Sequence, residues 1–305
     1  MSYGVMRWLV AMLAVATSST LGCDGFPVDW VREGYIEPDE DMLVDTQPLW
    51  CPAGSRKVGY THMAMNREEA QAWGGRSVWI VDIGTGEKER VTEGMLFDWS
   101  PDGTKILFAR KSGGVFLRDL RTGEEREIPI FGAPMDFAPN GKEIAFVGWE
   151  DRPGLYILDL DSLTIRWIAP RYGCDWSPDG RTILCDSLIT IERDGTRSGK
   201  VPWAFQLGSP VHARWSPDGK TIAFGQYCIC DECWTGRCAG IFLINADGSD
   251  QRLVVCPGAL PSWSPNGKML AYTALAGNHA TAIWVVNRDG TGKRQVTFPE
   301  KYPLP

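Results

Sequence analysis

Histidine is scarce in this sequence, and no excess of basic residues is present. Three histidines occur in 305 residues, and 31 lysines and arginines stand against 38 acidic residues, which gives a formal net charge of −7. Because proteins hold nucleic acids largely through phosphate charges, this balance argues against a nucleic-acid partner. The G-x-S-x-G and H-E-x-x-H hydrolase patterns are also absent. We therefore expect a protein that is not an enzyme and binds no cofactor or metal.

A long apolar run is missing as well. The apolar stretch Trp8–Ala16, which follows Arg7, is much shorter than the roughly 20 residues needed to cross a bilayer as a helix. A short basic start followed by a brief apolar run is typical of a cleaved export signal. We predict a signal peptide over residues 1–22. The segment that ends at Cys23 resembles a bacterial lipobox, which predicts lipidation of Cys23; the alternative is an ordinary cleaved signal with an incidental cysteine.

What the chain does contain is a repeated phrase of the type W-S-P-D-G. Good copies begin at Asp98, Asp136, Asp175, Arg214 and Ser262, and a degenerate copy begins at Leu49. The average step between copies is close to the ~40–45 residues of a propeller blade. Such self-similarity indicates one supersecondary unit that is stacked repeatedly.

Each copy predicts a strand, a tight turn and a second strand. In the first good copy, Pro101 presets the turn, Asp102 suits its second position and Gly103 supplies the positive φ that closes the hairpin. A third, apolar strand and a fourth, more polar strand follow in most copies. The sequence thus predicts an all-β fold, a six-bladed β-propeller of four-stranded antiparallel blades, over residues 46–300, with a tail at 301–305. Whether residues before Gln47 add a strand that closes the ring is left open.

The W-S-P-D-G phrase resembles the repeat of TolB-like (PD40) propellers, which are periplasmic proteins. This resemblance implies a monomeric propeller that binds a protein of the bacterial envelope, with a peptidoglycan-associated lipoprotein as the suggested partner. TolB carries an additional N-terminal α/β domain, whereas about two dozen residues separate the predicted signal from the first blade here. We expect a propeller-only relative at the periplasmic face of the envelope. Residues 23–45, rich in acidic side chains, would form an extended tether to the membrane.

Nine cysteines are many for an exported chain of this size. Seven of them are expected on one rim of two neighbouring blades: Cys174, Cys185, Cys228, Cys230, Cys233, Cys238 and Cys256. An oxidising compartment favours disulfides among these seven, although their connectivity cannot be read from the sequence. The alternative is a metal site built from the four cysteines of the insertion between Tyr227 and Ala239.

The residues before the repeat aromatics form the third candidate group. Asp98, Asp136, Asp175 and Arg214 lie on predicted innermost strands and could approach the central channel, where His212 is the best single catalytic candidate. Carboxylates at these positions could bind a cation such as Ca²⁺, but we favour a solvated channel lining. The preferred function is a protein-binding or scaffold module that uses the cysteine-bearing rim. The alternative is a small-ligand or metal-binding propeller, with or without enzymatic activity, that uses the channel.

Overall fold

The computed structural model describes residues 42–54, 56–65, 75–149, 151–203, 207–228, 238–276 and 280–299. The regular structure in this part is β-strand, apart from a short 3-10 helix at Asp186–Leu188. In chain order the strands fall into successive groups of four, which we call units 1 to 6.

The strands of units 1 and 2 are β1 (Met42–Trp50), β2 (Lys57–Met65), β3 (Ser77–Asp82), β4 (Lys88–Glu93), β5 (Met95–Trp99), β6 (Lys105–Ala109), β7 (Val115–Asp119) and β8 (Glu125–Ile128). Those of units 3 and 4 are β9 (Gly132–Phe137), β10 (Glu143–Gly148), β11 (Gly154–Asp159), β12 (Ile165–Ala169), β13 (Asp175–Trp176), β14 (Thr182–Cys185), β15 (Ile189–Glu192) and β16 (Ser198–Lys200). Those of units 5 and 6 are β17 (Leu207–Trp215), β18 (Thr221–Cys228), β19 (Cys238–Asn245), β20 (Arg252–Val255), β21 (Ala259–Trp263), β22 (Met269–Leu275), β23 (Ala280–Asn287) and β24 (Arg294–Gln295).

Each unit is an antiparallel sheet in which consecutive strands pair. Units 2, 3, 4 and 5 are separate four-stranded sheets, whereas units 6 and 1 share one eight-stranded sheet. The join is a short parallel bridge between β1 and β23, at Leu43 with Ala280 and Val44 with Thr281. Residues before Gln47 therefore do pair with the last unit, which answers the question that the sequence left open.

The first strands of the units contact one another in cyclic order. β1 contacts β5, β5 contacts β9, β9 contacts β13, β13 contacts β17, β17 contacts β21, and β21 returns to β1. The first strands therefore surround a common axis and the fourth strands lie outermost. The predicted all-β propeller of four-stranded antiparallel blades is confirmed.

Apolar side chains fill the spaces between neighbouring units. Trp176 of unit 4, for example, packs with Val147 and Leu155 of unit 3. Most of the repeat aromatics are less than a tenth exposed, namely Trp50, Trp99, Phe137, Trp176 and Trp263. Burial of a large apolar side chain contributes roughly 1.5–3 kcal/mol, so the repeat aromatics are core residues of the ring.

The polar part of the phrase builds the first turn of each unit. In unit 2, Gly103 has φ +68°, and the Asp102 carboxylate accepts hydrogen bonds from the Ser100 hydroxyl (2.6 Å) and the Thr104 amide (3.0 Å). These bonds, the one from Ser100 foremost, lower the pKa of Asp102. The phrase recurs because every unit needs the same closed turn.

Two edges of the ring differ in what they carry. The edge where the chain passes from one unit to the next also carries the loops between second and third strands, and we call it the connection rim. The opposite edge, the turn rim, carries the first turn of every unit. Among the described residues, no helix has the length and apolar character needed to cross a membrane.

Candidate functional site

The residue just before each repeat aromatic is called here the junction residue, because it faces the next unit. The six junction residues are Leu49, Asp98, Asp136, Asp175, Arg214 and Ser262. A β-bulge precedes most of them; in unit 2 the register shifts between Leu96 and Asp98. Since a bulge bends a strand and re-aims its side chains, the junction residue can reach the backbone of the neighbouring sheet.

Three aspartates and one serine accept a main-chain hydrogen bond from the next unit. The pairs run from the amide nitrogen of the next repeat aromatic to a side-chain oxygen: Phe137 to Asp98 (2.7 Å), Trp176 to Asp136 (2.6 Å), Trp215 to Asp175 (2.6 Å) and Trp50 to Ser262 (2.9 Å). These side chains therefore tie unit to unit around the ring.

The other two junctions use the indole ring instead. Leu49 and Arg214 have no side-chain acceptor, and their carbonyl oxygens accept from the indole nitrogens of Trp99 (3.0 Å) and Trp263 (3.1 Å). Where the junction residue is an aspartate and the repeat aromatic of the next unit is a tryptophan, the indole nitrogen of that tryptophan makes no hydrogen bond within the described residues. This holds for Trp176 and Trp215. The junctions thus come in two chemical kinds.

The carboxylates and the guanidinium form one electrostatic network. Arg214 Nη1 donates to Asp175 Oδ1 at 3.0 Å, and the carboxyl groups of Asp98 and Asp136 share a hydrogen bond. Burial, followed by the charge of Asp98, raises the pKa of Asp136 well above its usual value. Burial and then Asp136 raise the pKa of Asp175 to about 7, against the opposing effect of Arg214.

Arg214 is the one cation of this network in the described part of the chain. Burial alone would lower the pKa of Arg214, but the charges of Asp175 and Asp136 outweigh burial and raise it. The arginine therefore stays charged, while the raised pKa of Asp136 favours its protonated form more than in an ordinary aspartate. A protonated Asp136 can donate the hydrogen bond that it shares with Asp98.

His212 owes its position to the backbone. Its φ is +51°, and the residues at the same distance before the repeat tryptophan in units 1 and 6, Gln47 and Leu260, have φ of +52° and +56°. The unusual conformation is thus a feature of three related bulges. Burial, then the charge of Arg214, lowers the pKa of His212 to about 4, so the imidazole is neutral near pH 7.

The structure brings the predicted channel residues together, but the oxygens of the three aspartates accept hydrogen bonds from other residues of the ring. Both oxygens of Asp175 are engaged, one by Arg214 and one by the Trp215 amide. Asp98 and Asp136 each hold a main-chain amide and each other. Across the described ranges, no three histidine, cysteine, aspartate or glutamate side chains form a group that could hold a metal ion. A role for these residues toward a cation stays a prediction, and the geometry gives them a structural role.

The cysteines divide between the two rims. Cys174 and Cys185 are buried thiols in the apolar layer between units 3 and 4, and Cys256 is partly buried beside the layer between units 4 and 5. Cys51 lies on the turn rim, close to Gly103. Cys23, Cys230, Cys233 and the side chains of Cys228 and Cys238 lie outside the described residues, as do the predicted signal, most of the tether and the tail at 301–305.

Sequence reasoning missed a second buried polar pair, in unit 1. The fully buried carboxylate of Asp45 lies with its Oδ1 2.6 Å from Nδ1 of His62. These residues are opposed in β1 and β2, a register that only the sheet reveals. Ser262 was missed too, although its place before Trp263 was a readable signal. Once the repeats are aligned on their aromatics, an acceptor in that column is visible.

Comparison with known proteins places this architecture in a family. The family model described as the TolB beta propeller domain matches residues 95–301. The chain belongs to this TolB β-propeller family. The Tol-Pal system protein TolB of Francisella tularensis subsp. mediasiatica is 26% identical over 216 residues, which cover 63% of this chain and 48% of that protein. The chain spans about half the length of the curated relatives of this kind.

Solved structures agree on the fold. TolB from Acinetobacter baumannii has a TM-score of 0.61 at 18% identity, covering 94% of this chain and 68% of its own. The oligogalacturonate lyase from Vibrio parahaemolyticus has a TM-score of 0.54 at 15% identity, covering 85% of this chain and 79% of its own. Because TolB and a lyase share the architecture, the fold by itself assigns no activity.

Proposed function

We propose that this chain is a six-bladed, exported and lipid-anchored propeller that binds a protein of the bacterial envelope. The eight-stranded sheet counts as two blades in this proposal, because its two halves are joined only through two residues of β1 and two of β23. The cyclic contacts of the first strands support the same count. Family membership supports the envelope role, since the relative named above belongs to the Tol-Pal system.

The connection rim is the proposed binding surface, and one observation carries this choice. The hairpin β18–β19 of unit 5 has strands of eight residues each, paired as far as Cys228 with Cys238. The corresponding strands of unit 4, β14 and β15, have four residues each. The long hairpin therefore extends the connection rim at unit 5, and the insertion at 229–237 follows its end.

Exposed apolar surface lies on the same rim. Tyr172, in the connection that enters unit 4, is 45% exposed. Tyrosine is enriched among the residues that dominate protein interfaces, because it contributes a large contact area with a polar end. Together with the β18–β19 hairpin, Tyr172 defines a surface across units 4 and 5, and the proposal assigns the chain a binding role without catalysis.

Loop replacement tests the binding surface. In the test variant, a two-residue turn replaces residues 229–237, which is a length that closes an antiparallel hairpin between opposed residues. The wild type, this variant and Tyr172→Ala are each immobilised and exposed to envelope extract, and bound proteins are identified by mass spectrometry. The proposal expects one envelope protein to bind the wild type and to be lost, or weakened about tenfold, with both variants.

A matched control uses the opposite rim. Leu163 is 49% exposed in the last turn of unit 3, on the turn rim, and its φ of +57° is one that asparagine tolerates. Leu163→Asn should leave binding unchanged. Equal binding by all four proteins would remove the connection rim from the proposal.

The anchor has a separate test. Cys23→Ser in the full chain should move the protein from the membrane fraction to the soluble periplasmic fraction and abolish incorporation of labelled fatty acid. An unlabelled, soluble wild type would instead support the ordinary cleaved signal.

A further inference from the structure

Cys174 and Cys185 lie side by side at the start of unit 4. Cys174 precedes Asp175, Cys185 follows Leu184, and Asp175 and Leu184 are directly opposed in β13 and β14. Extending this register by one residue sets Cys174 opposite Cys185. Both side chains belong to one buried apolar cluster and are present as thiols, 7% and 1% exposed. We propose that this pair is a modification site, at which a disulfide forms when the chain folds under oxidising conditions.

The usual spacing of opposed strand residues is compatible with such a bond. Opposed residues in antiparallel strands have Cα atoms about 4.5 or 5.5 Å apart, depending on the hydrogen-bonding pattern. A disulfide spans Cα separations of about 4.4–6.8 Å. Both side chains also belong to the same apolar layer, with Trp176 and Ile183. The two thiols therefore lie on the same face of the sheet and in the same apolar layer.

Unit 4 also has the shortest first strand among the described units. Its first strand, β13, has two residues, whereas β5 has five and β17 has nine. After β14 the chain turns through Ser187 and Leu188, whose φ values are +61° and +55°. A covalent bond beside β13 would fix the residue next to Asp175. It would thereby hold the carboxylate that binds the Trp215 amide and Arg214.

The chemistry is a thiol–disulfide exchange with a small disulfide, such as glutathione disulfide, or with a disulfide-bonded protein oxidant. One thiol loses its proton, attacks the oxidant and releases a first thiolate; the second then attacks the mixed disulfide and releases another. One S–S bond forms in the protein, one breaks in the oxidant, and two electrons pass to the oxidant.

Burial restricts this exchange to the folding chain. In the folded protein, burial and the neighbouring Cys185 thiol raise the pKa of Cys174 well above its usual value. Since the thiolate is the attacking species, the exchange should take place before the layer between units 3 and 4 closes. After closure, the same burial should protect the bond from reductants.

Peptide mapping tests the assignment directly. The reduced, unfolded full chain is refolded with glutathione disulfide, remaining thiols are alkylated under denaturing conditions, and the protein is cleaved with trypsin. Cleavage after Arg181 places Cys174 in residues 172–181 and Cys185 in residues 182–193. We expect these two peptides to be joined, with a mass 2 Da below the sum of the free peptides, and to separate on reduction.

Two comparisons complete the test. Cys51→Ser should leave the joined peptides unchanged, because Cys51 lies on the turn rim, whereas Cys185→Ser should leave Cys174 alkylated. The oxidised wild type should also unfold at a higher urea concentration than the reduced protein. Alkylation of both cysteines in the refolded wild type, or linkage of Cys174 to any other cysteine, would overturn the assignment. The test needs no binding partner and no anchor, so its outcome is independent of the proposed function.

Discussion

The two halves of the ring are built differently around the same repeat. Units 2, 3 and 4 have an aspartate as junction residue, and their first strands have two to six residues. Units 5, 6 and 1 have arginine, serine or leucine there, and a residue with left-handed φ three positions before the tryptophan. Their second-to-third-strand hairpins are also the longer ones, as β18–β19 illustrates.

This difference shows how a repeat can diverge without opening the ring. Every junction brings the edges of two neighbouring units together, and a hydrogen bond between the units is present at each of the six. Aspartate and serine supply the acceptor themselves, whereas Leu49 and Arg214 leave their backbone carbonyls to the indoles of Trp99 and Trp263. The aspartate half gains short bonds and a cluster of buried acids. The other half lacks that cluster at its junctions and carries the β18–β19 hairpin, which is part of the proposed binding surface.

The largest expected effect in this comparison is at Asp175. Asp175→Ala removes the acceptors of both the Trp215 amide and the Arg214 guanidinium, and breaking a largely buried ion pair on one side is strongly destabilising. We expect the free energy of unfolding at pH 7, measured in urea, to fall by about 3 kcal/mol. Asp175→Asn keeps one acceptor and should lose less. A loss below about 1 kcal/mol for the alanine variant would contradict the network.

Asp136 sharpens the comparison because burial and the charge of Asp98 raise its pKa well above the usual value. Asp136→Ala leaves the Trp176 amide without an acceptor and should cost about 2 kcal/mol in the same assay, within the range for an unsatisfied buried group. Asp136→Asn resembles the neutral carboxyl group and should cost less than about 1 kcal/mol. Equal losses for the two variants would mean that Asp136 acts through its charge.

The buried aspartates should make the free energy of unfolding depend on pH. Burial raises the pKa of Asp175 and of Asp186 to about 7, above the usual ~3.9 of an unfolded chain. The folded protein therefore binds more protons between about pH 4 and 7, so the free energy of unfolding should fall as the pH rises through that window. Each of the two groups alone should account for about 2 kcal/mol of that fall between pH 5 and 7, read from urea midpoints at the two pH values.

His212 opposes this trend, which allows a check of the sign. Its lowered pKa of about 4 means that the unfolded chain binds the extra proton between about pH 4 and 6.5, so this contribution rises with pH. Asp175→Asn should flatten the dependence. His212→Asn, which suits a left-handed residue, should steepen it. A steeper pH dependence in Asp175→Asn, or a flatter one in His212→Asn, would refute the assigned charge states.

The smallest expected effect distinguishes the two kinds of tryptophan. Trp99→Phe removes the indole bond to the Leu49 carbonyl, whereas Trp176→Phe removes no hydrogen bond within the described residues. Both substitutions lose similar apolar volume, so the first should cost about 1 kcal/mol more than the second, the usual net worth of one hydrogen bond. Urea unfolding of both variants at one pH measures the difference.

Much of the architecture could be predicted because its signals are local. Pro101, Asp102 and Gly103 specify a turn through their own backbone preferences, and the spacing of the copies indicates stacked units. The candidate site was less accessible. Asp98, Asp136 and Asp175 were identified as inward-facing, but their bonds reach amides about 40 residues further along the chain, in a different sheet. The pairing of Asp45 with His62 depends on strand register in the same way.

The strands, the turns and the repeated four-strand unit follow from the amino-acid sequence, because each depends on residues that are neighbours in the chain. The sequence also sets which side chains are available at each junction. The roles of those side chains depend on the folded ring, since their partners belong to neighbouring units and their pKa values depend on burial. For the same reason, the contact between Cys174 and Cys185 emerges only when β13 and β14 lie side by side.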